Sequence, residues 1–245
     1  MDLLLLSSTS VYGHAPFAHV LGAIAEIVGE ARTIHFVPYA GSDGERYTAW
    51  VREMLASLQV TVHGVHAEAD PRAALEQAEV VFIGGGNSFR LLTALWEHDL
   101  VEPIRRRVRA GELRFIGSSA GTNMACPSIR TTNDMPILQP PTFEATGLVP
   151  FQINPHYIDA DLSSTHRGET REQRLLEFLE QNDVPVLGLR EGSWLRRHDD
   201  SLILDGVAGA RLFRRGAGSE TFEPGADLSW LLNVPARFDV PVVPA

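Results

Sequence analysis

Lysine is absent from this chain. All 21 basic residues among the 245 are arginine. A Schiff-base lysine, a Ser-Lys dyad and the lysine of a Walker A loop are therefore excluded outright. Coding bias in a G/C-rich genome accounts for the skew, and the exclusion holds whatever its cause. Cysteine is nearly absent too. Cys126 stands alone, so no internal disulfide can form and a reducing cytoplasm is the expected location. No apolar run approaches membrane-spanning length. The run Leu3 to Leu6 has no basic segment before it and reads as a buried first strand, neither a signal peptide nor a span. Positive charge is also short, and a net charge of −10 argues against a nucleic-acid partner.

What remains is a globular composition, 44% hydrophobic with no long polar tract, which suffices to bury one sizeable core. Neither a repeat nor a linker divides it, so residues 1–245 are expected to form a single α/β domain. Strand-like apolar runs alternate with helix-like segments. Strands are predicted at Leu3–Ser8, Thr33–Tyr39, Val60–Val65, Val80–Ile83 and Leu113–Ser118. Helices are predicted at Phe17–Val28, Arg46–Leu58, Pro71–Ala78, Ser88–Trp96, Val101–Ala110 and Ala120–Cys126. Such alternation implies right-handed βαβ units and a mostly parallel sheet flanked by helices. Past Cys126-Pro127 the pattern changes, and Ser128–Pro155, rich in Thr, Asn and Pro, reads as long functional loops. A helix over Glu169–Asn182 and a buried strand over Val184–Leu189 follow. Ser193–Leu204 and Ala210–Arg215 read as a C-terminal hairpin turning at Asp205-Gly206, and Phe222–Ala245 as a surface tail.

The most informative stretch is Gly117-Ser118-Ser119-Ala120-Gly121. A short apolar strand feeds Gly-x-Ser-x-Gly and then a helix, the context that a nucleophile elbow requires. The glycines remove side chains that would clash in the tight turn, leaving the Ser119 hydroxyl at the apex over a helix N-terminus. The Ala120 N–H then points to where charge would build on an attacked carbonyl oxygen. Gly84-Gly85-Gly86-Asn87 closes another strand. It lacks dinucleotide spacing, and its better use is to bring the Gly86 N–H beside that of Ala120 as a second oxyanion donor.

A serine hydroxyl also needs a base and an acid to orient it. Eight of the nine histidines (His14, His19, His35, His63, His66, His98, His166 and His198) sit where a packed or solvated imidazole is the ordinary reading. His156, in Gln152-Ile153-Asn154-Pro155-His156, is the candidate base. Two carboxylates compete to orient it. Asp134 gives the order Ser…Asp…His, whereas Glu191 follows a buried strand whose carboxyl end should line the crevice. His198-Asp199-Asp200 sits in a polar turn and makes no convincing metal site. Cys126 lies too far along its helix to be the nucleophile. Neither metal nor cofactor is called for.

With these residues in hand, the chain resembles the peptidase E, or aspartyl dipeptidase, family. The resemblance runs from Met1 to about Trp194. It is dense at Gly84–Asn87, Gly117–Gly121, Ala125–Ile137, Gln152–His156 and Gly168–Arg174. Five blocks in order are far more specific than the elbow alone. The family's elbow usually carries an aromatic where this chain has Ser118. The resemblance implies a class I glutamine amidotransferase-like, flavodoxin-like fold and a cytoplasmic serine peptidase that splits dipeptides with N-terminal aspartate. It also implies Ser119 as nucleophile, His156 as base, and Asp134 or Glu191 as third member. A buried aspartyl side chain wants the planar fork of an arginine, and Arg171 is the first choice, with Arg130 second. The carboxylate that does not orient His156 is free to bind the substrate ammonium. Small acidic dipeptides are the expected partners, and a homo-oligomer is compatible with the sequence. A cyanophycinase-like peptidase, a carboxylesterase and a non-catalytic amidotransferase-like binding module are the alternatives.

Overall fold

The computed structural model describes residues 1–241 apart from 162, 164 and 166. The candidate surface tail is therefore described only as far as residue 241, and His166 lies outside the described residues. Five parallel strands form the centre of the main sheet: β1 (Asp2–Leu6), β2 (Thr33–Val37), β3 (Thr61–Gly64), β4 (Val80–Ile83) and β5 (Arg114–Ser118). Two antiparallel strands, β8 (Ser193–His198) and β9 (Ser201–Gly206), extend one edge, giving the order β3-β2-β4-β5-β1-β8-β9. A second sheet has the order β11-β10-β7-β6, built from β6 (Gln152–Tyr157), β7 (Val186–Arg190), β10 (Ala210–Phe213) and β11 (Glu220–Phe222).

Burial on both faces explains the unbroken leucines of β1. Leu3 and Leu5 face one core and Leu4 and Leu6 the other, and Val81 and Ile83 alternate in the same way with Val80 and Phe82. A parallel strand covered on both sides needs apolar residues at every position. One face is covered by α1 (Leu21–Val28) and α2 (Gly44–Met54). The opposite face is covered by α3 (Pro71–Gln77), α4 (Ser88–Glu97) and α5 (Val101–Arg109). The short α6 (Ala120–Asn123) follows β5, and α7 (Arg171–Gln181) packs Leu175 and Leu179 on the second sheet with Tyr157, Val186 and Phe213. Helix starts follow local capping chemistry. Asn87 accepts the Phe89 and Arg90 N–H groups at α4, and Thr170 with Gln173 forms a capping box at α7.

The structure corrects several sequence expectations. The helix predicted from Phe17 begins at Leu21, because Phe17 takes a left-handed backbone (φ 65°) and stacks edge-on against Trp50 and Phe82. Its apolar spacing reflects core packing, not a helical face. The elbow helix ends at Asn123, short of Cys126. The predicted hairpin is two different pairings: β8 turns into β9 at Asp199-Asp200, whereas β10 leaves for the second sheet and pairs with β7. Asp205 and Gly206 end β9. Both edges are apolar enough to read as one hairpin, and only the register separates them. Finally, the loop region gives up its last residues to β6, parallel to β7.

Candidate active site

Three neighbouring parallel strands deliver their carboxyl ends to one edge, the usual crevice of an open α/β sheet. Ile83 of β4 pairs with Gly117 of β5, and Leu6 of β1 pairs with Ser118 on the other side. Ser119 leaves this edge with φ 54° and ψ −114°, a conformation that non-glycine residues rarely hold. The turn survives because nothing opposes it. A Cβ on Gly117 would stand 2.6 Å from the Gly121 carbonyl, and one on Gly121 would run into the Ile83 carbonyl. Ser119 is half-buried, with Gly85 packed against it.

The Ser119 hydroxyl lies 2.9 Å from His156 Nε2, and His156 Nδ1 lies 2.6 Å from Glu191 Oε1. A carboxylate only accepts, so Nδ1–H donates to Glu191 and Nε2 is left to accept from Ser119. His156 has φ 52° at a bulge where the β6–β7 register shifts between Pro155 and Tyr157. Its N–H donates to the Ser7 hydroxyl (2.9 Å), which itself donates to the Leu189 carbonyl (2.8 Å). Ser7, the first residue past β1, thus ties the main sheet to both strands that carry the histidine and the glutamate. Sequence reading passed over it, although a polar residue directly after a buried strand on the crevice edge was a usable signal.

Gly86 has φ 136°, and a Cβ there would stand 2.5 Å from the Ala40 carbonyl. The neighbouring Gly85 N–H donates to the hydroxyl of the half-buried Tyr47 (2.9 Å), a second residue that sequence reading missed. Neither the Gly86 nor the Ala120 N–H meets an acceptor among the described residues.

The structure separates the two competing carboxylates. Glu191 bonds the imidazole, whereas Asp134 Oδ2 accepts the Ser88 N–H (2.7 Å) and the Thr132 hydroxyl (3.1 Å) at the start of α4. A carboxylate is well placed there, against the positive end of the helix dipole. The two arginines separate as well. The Arg130 guanidinium is taken up by Asp239 (2.7 Å) and the Phe238 ring, so the structure does not present it as a free carboxylate receptor. Arg171, at the first position of α7, makes no ion pair among the described residues. Burial and then the adjacent Arg174 lower its guanidinium pKa, while Asp134 acts in the opposite direction. Cys126 is fully buried, its thiol pushed up to about 12 by desolvation, which makes it inert as a nucleophile. Among the described residues no cluster of three His, Cys, Asp or Glu side chains could hold a metal ion, and no helix is long and apolar enough to cross a membrane.

Residues 3–204 match the family model described as Peptidase family S51. The chain belongs to that family. This S51 chain is 56% identical over 239 residues to Peptidase E of Streptomyces coelicolor, with 98% of each covered. It is 48% identical over 234 residues to the probable alpha-aspartyl dipeptidase of Drosophila melanogaster, covering 95% of this chain and 98% of the relative. Against Peptidase E of Salmonella typhimurium it is 44% identical over 228 residues, covering 92% and 99%. Among solved structures, a putative peptidase E protein from Listeria monocytogenes superposes with a TM-score of 0.64 at 22% identity, covering 84% of this chain and 98% of that one. A peptidase from an acI-B1 actinobacterium gives 0.66 at 16% identity, covering 93% and 96%. At those identities the structural likeness concerns the fold, a mixed α/β sheet flanked by helices.

Proposed function

We propose that this S51 peptidase is a serine dipeptidase that hydrolyses Asp-X dipeptides through Ser119, His156 and Glu191. The observation that carries the reading is the continuous chain from the Ser119 hydroxyl through both imidazole nitrogens to the Glu191 carboxylate, at 2.9 and 2.6 Å. Ser119 Oγ attacks the carbonyl carbon of the aspartyl residue while its proton passes to His156 Nε2. The carbonyl oxygen, now anionic, takes the N–H groups of Gly86 and Ala120. His156 returns the proton to the departing amine of X, leaving an aspartyl ester on Ser119. Water then attacks that ester with His156 again as base, releasing aspartate and restoring the hydroxyl. Glu191 holds the tautomer and stabilises the imidazolium throughout.

Two further roles complete the reading. Arg171 receives the substrate's side-chain carboxylate: of the two arginines that line the cavity beyond His156 it is the one that no acid occupies among the described residues. Asp134, half-buried at the start of α4, receives the substrate ammonium through the oxygen that Ser88 and Thr132 leave free. The lone buried thiol and the dipeptide substrate suit a cytoplasmic enzyme that finishes peptide breakdown.

A fluorophosphonate mapped by mass spectrometry, together with a substrate panel, tests the proposal. Label is expected on Ser119 alone, and Asp-Leu should turn over well ahead of Glu-Leu, Leu-Leu, beta-aspartyl-arginine and simple esters. Arg171→Met should lower kcat/KM for Asp-Leu by about thirtyfold, the worth of one charged hydrogen bond, and barely touch Asn-Leu. Label elsewhere, or esters or beta-aspartyl-arginine as the preferred substrate, would sink the reading.

A further inference from the structure

A cavity of about 430 Å³ opens two residues beyond His156, lined by Asp159, Asp161, Glu169, Thr170, Arg171 and Arg174 among others. Three carboxylates face two guanidiniums there, a poor balance for a cavity meant to admit an anion. The acids, however, are not free. Asp161 accepts the Ser163 N–H (2.8 Å) and hydroxyl (2.6 Å), and Glu169 lies 3.6 Å from Arg174. Asp159 is held at both oxygens: Arg190 donates to one (2.8 Å) and Arg211 to the other (3.2 Å). Those bonds, Arg190's first, keep its carboxyl below the ordinary range.

Arg211 does more than meet Asp159. Its other arm reaches Glu172 at 3.3 Å, directly after Arg171 in the chain. Its guanidinium is fixed in place by the Ser219 hydroxyl (2.7 and 3.0 Å) and lies 5.7 Å from the Phe213 ring centroid. A continuous row of alternating charge, Arg190–Asp159–Arg211–Glu172, therefore runs between the neighbour of Glu191 and the neighbour of Arg171. Arg211 enters from β10, beyond the stretch that the family model matches.

We propose that Arg211 is a specificity-determining residue: by offsetting the charges of Asp159 and Glu172 it leaves the cavity beside Arg171 able to accept an acidic side chain. The inference rests on the reading of Arg171 given above and adds the group that makes that reading electrostatically workable. Without Arg211, Asp159 in the cavity wall would keep Arg190 alone and Glu172, the residue after Arg171, would lose its partner, so the added net negative charge would repel the substrate's own.

The test compares Asp-Leu with Asn-Leu in the full-length enzyme, with melting temperature followed in parallel. Arg211→Gln should lower kcat/KM for Asp-Leu about tenfold, chiefly through KM, and leave Asn-Leu within about twofold, as expected for one uncompensated charge near a partly solvated site. Adding Asp159→Asn to that variant should bring Asp-Leu back to within about threefold of wild type, because the unbalanced acid is gone. Arg211→Lys retains the charge without the planar fork, so it should keep the aspartate preference; this variant decides the matter if Arg211→Gln does not fold. Equal losses for both substrates, no recovery with Asp159→Asn, or a lost preference in Arg211→Lys would each overturn the inference. Arg171→Met is the control that separates the two ideas. If it abolishes the preference and Arg211→Gln does not, this inference alone fails. If Arg171→Met leaves the preference intact, the assignment of Arg171 fails with it.

Discussion

Ser119 and His156 both carry a positive φ, 54° and 52°, yet the protein holds the two in different ways. Each such residue costs on the order of 1–3 kcal/mol and persists only where its surroundings over-determine it. At Ser119 the surroundings are local. Gly117 and Gly121 let β5, α6 and the end of β4 close to contact distance, and the residue cannot relax without opening that packing. At His156 they are remote. The bulge against β7, the Ser7 hydroxyl from β1 and the Glu191 carboxylate after β7 fix it. The nucleophile is thus built into one turn, while the base is assembled from three elements far apart in the chain. A substitution near Ser119 acts through covalent neighbours, and one near His156 through hydrogen bonds that can be removed singly.

Removing the nucleophile gives the largest expected effect. Ser119→Ala should abolish Asp-X hydrolysis, a loss on the order of a million-fold for a triad serine, with an unchanged fold, since the elbow depends on its glycines. Ser118→Ala should stay active, because Ser118 is a buried strand residue paired with Leu6. Steady-state rates of the two variants decide it, and exchanged phenotypes would remove Ser119 from the centre of the mechanism. Next in size is the base's support. Glu191→Gln should depress kcat by about 100- to 10,000-fold, the lower end reflecting a carboxylate that is half-exposed, because an amide can hold the ring in the wrong tautomer. Asp134→Asn should instead raise KM about tenfold with a smaller kcat change, as loss of a ground-state contact does. Equal kcat losses with unchanged KM in both variants would refute this division of labour.

The same contrast explains what could be read from the sequence. The elbow was legible because a local backbone demand leaves a local mark: glycines two residues either side of the serine, after an apolar strand. The leucines of β1 and the alternation of strands and helices were legible for a similar reason, since burial on both faces writes itself into consecutive residues. His156 stood out among nine histidines by its place in the block Gln152–His156, and its partner stayed open between Asp134 and Glu191. Sequence spacing cannot show that β6 and β7 lie side by side, which is what carries Glu191 to the imidazole. Partner choice at the sheet edges was equally hidden. The apolar pattern of β10 is as good for pairing with β9 as with β7, and the predicted hairpin followed the shorter path in sequence. Arg171 ranked ahead of Arg130 as a carboxylate receptor, but what separates them physically, the tail that brings Asp239 and Phe238 to Arg130, could not be seen in the sequence.

The smallest expected effects compare the two supports directly. Ser7→Ala leaves the His156 N–H and the Leu189 carbonyl without their shared partner, and Tyr47→Phe leaves the Gly85 N–H without its acceptor. Each unpaired buried group costs about 1–3 kcal/mol, so both variants should melt earlier than wild type. Their catalytic consequences should differ. The glycine loop near Ser119 is also held by backbone bonds, Gly84 N–H to the Val37 carbonyl and Asn87 N–H to the Ala40 carbonyl, so Tyr47→Phe should change kcat by less than about threefold. The bulge's other side-chain bond, from Asn133 Nδ2 to the Pro155 carbonyl (2.7 Å), ties it to a loop and not to the main sheet; Ser7 is the hydroxyl that holds the His156 backbone to the main sheet, and its loss should lower kcat by about tenfold, with KM unchanged because no substrate contact is removed. The measurement is kcat and KM for Asp-Leu in the two variants beside their melting temperatures. A kcat in Ser7→Ala equal to that of Tyr47→Phe, at equal loss of stability, would mean that the bulge is held as redundantly as the elbow.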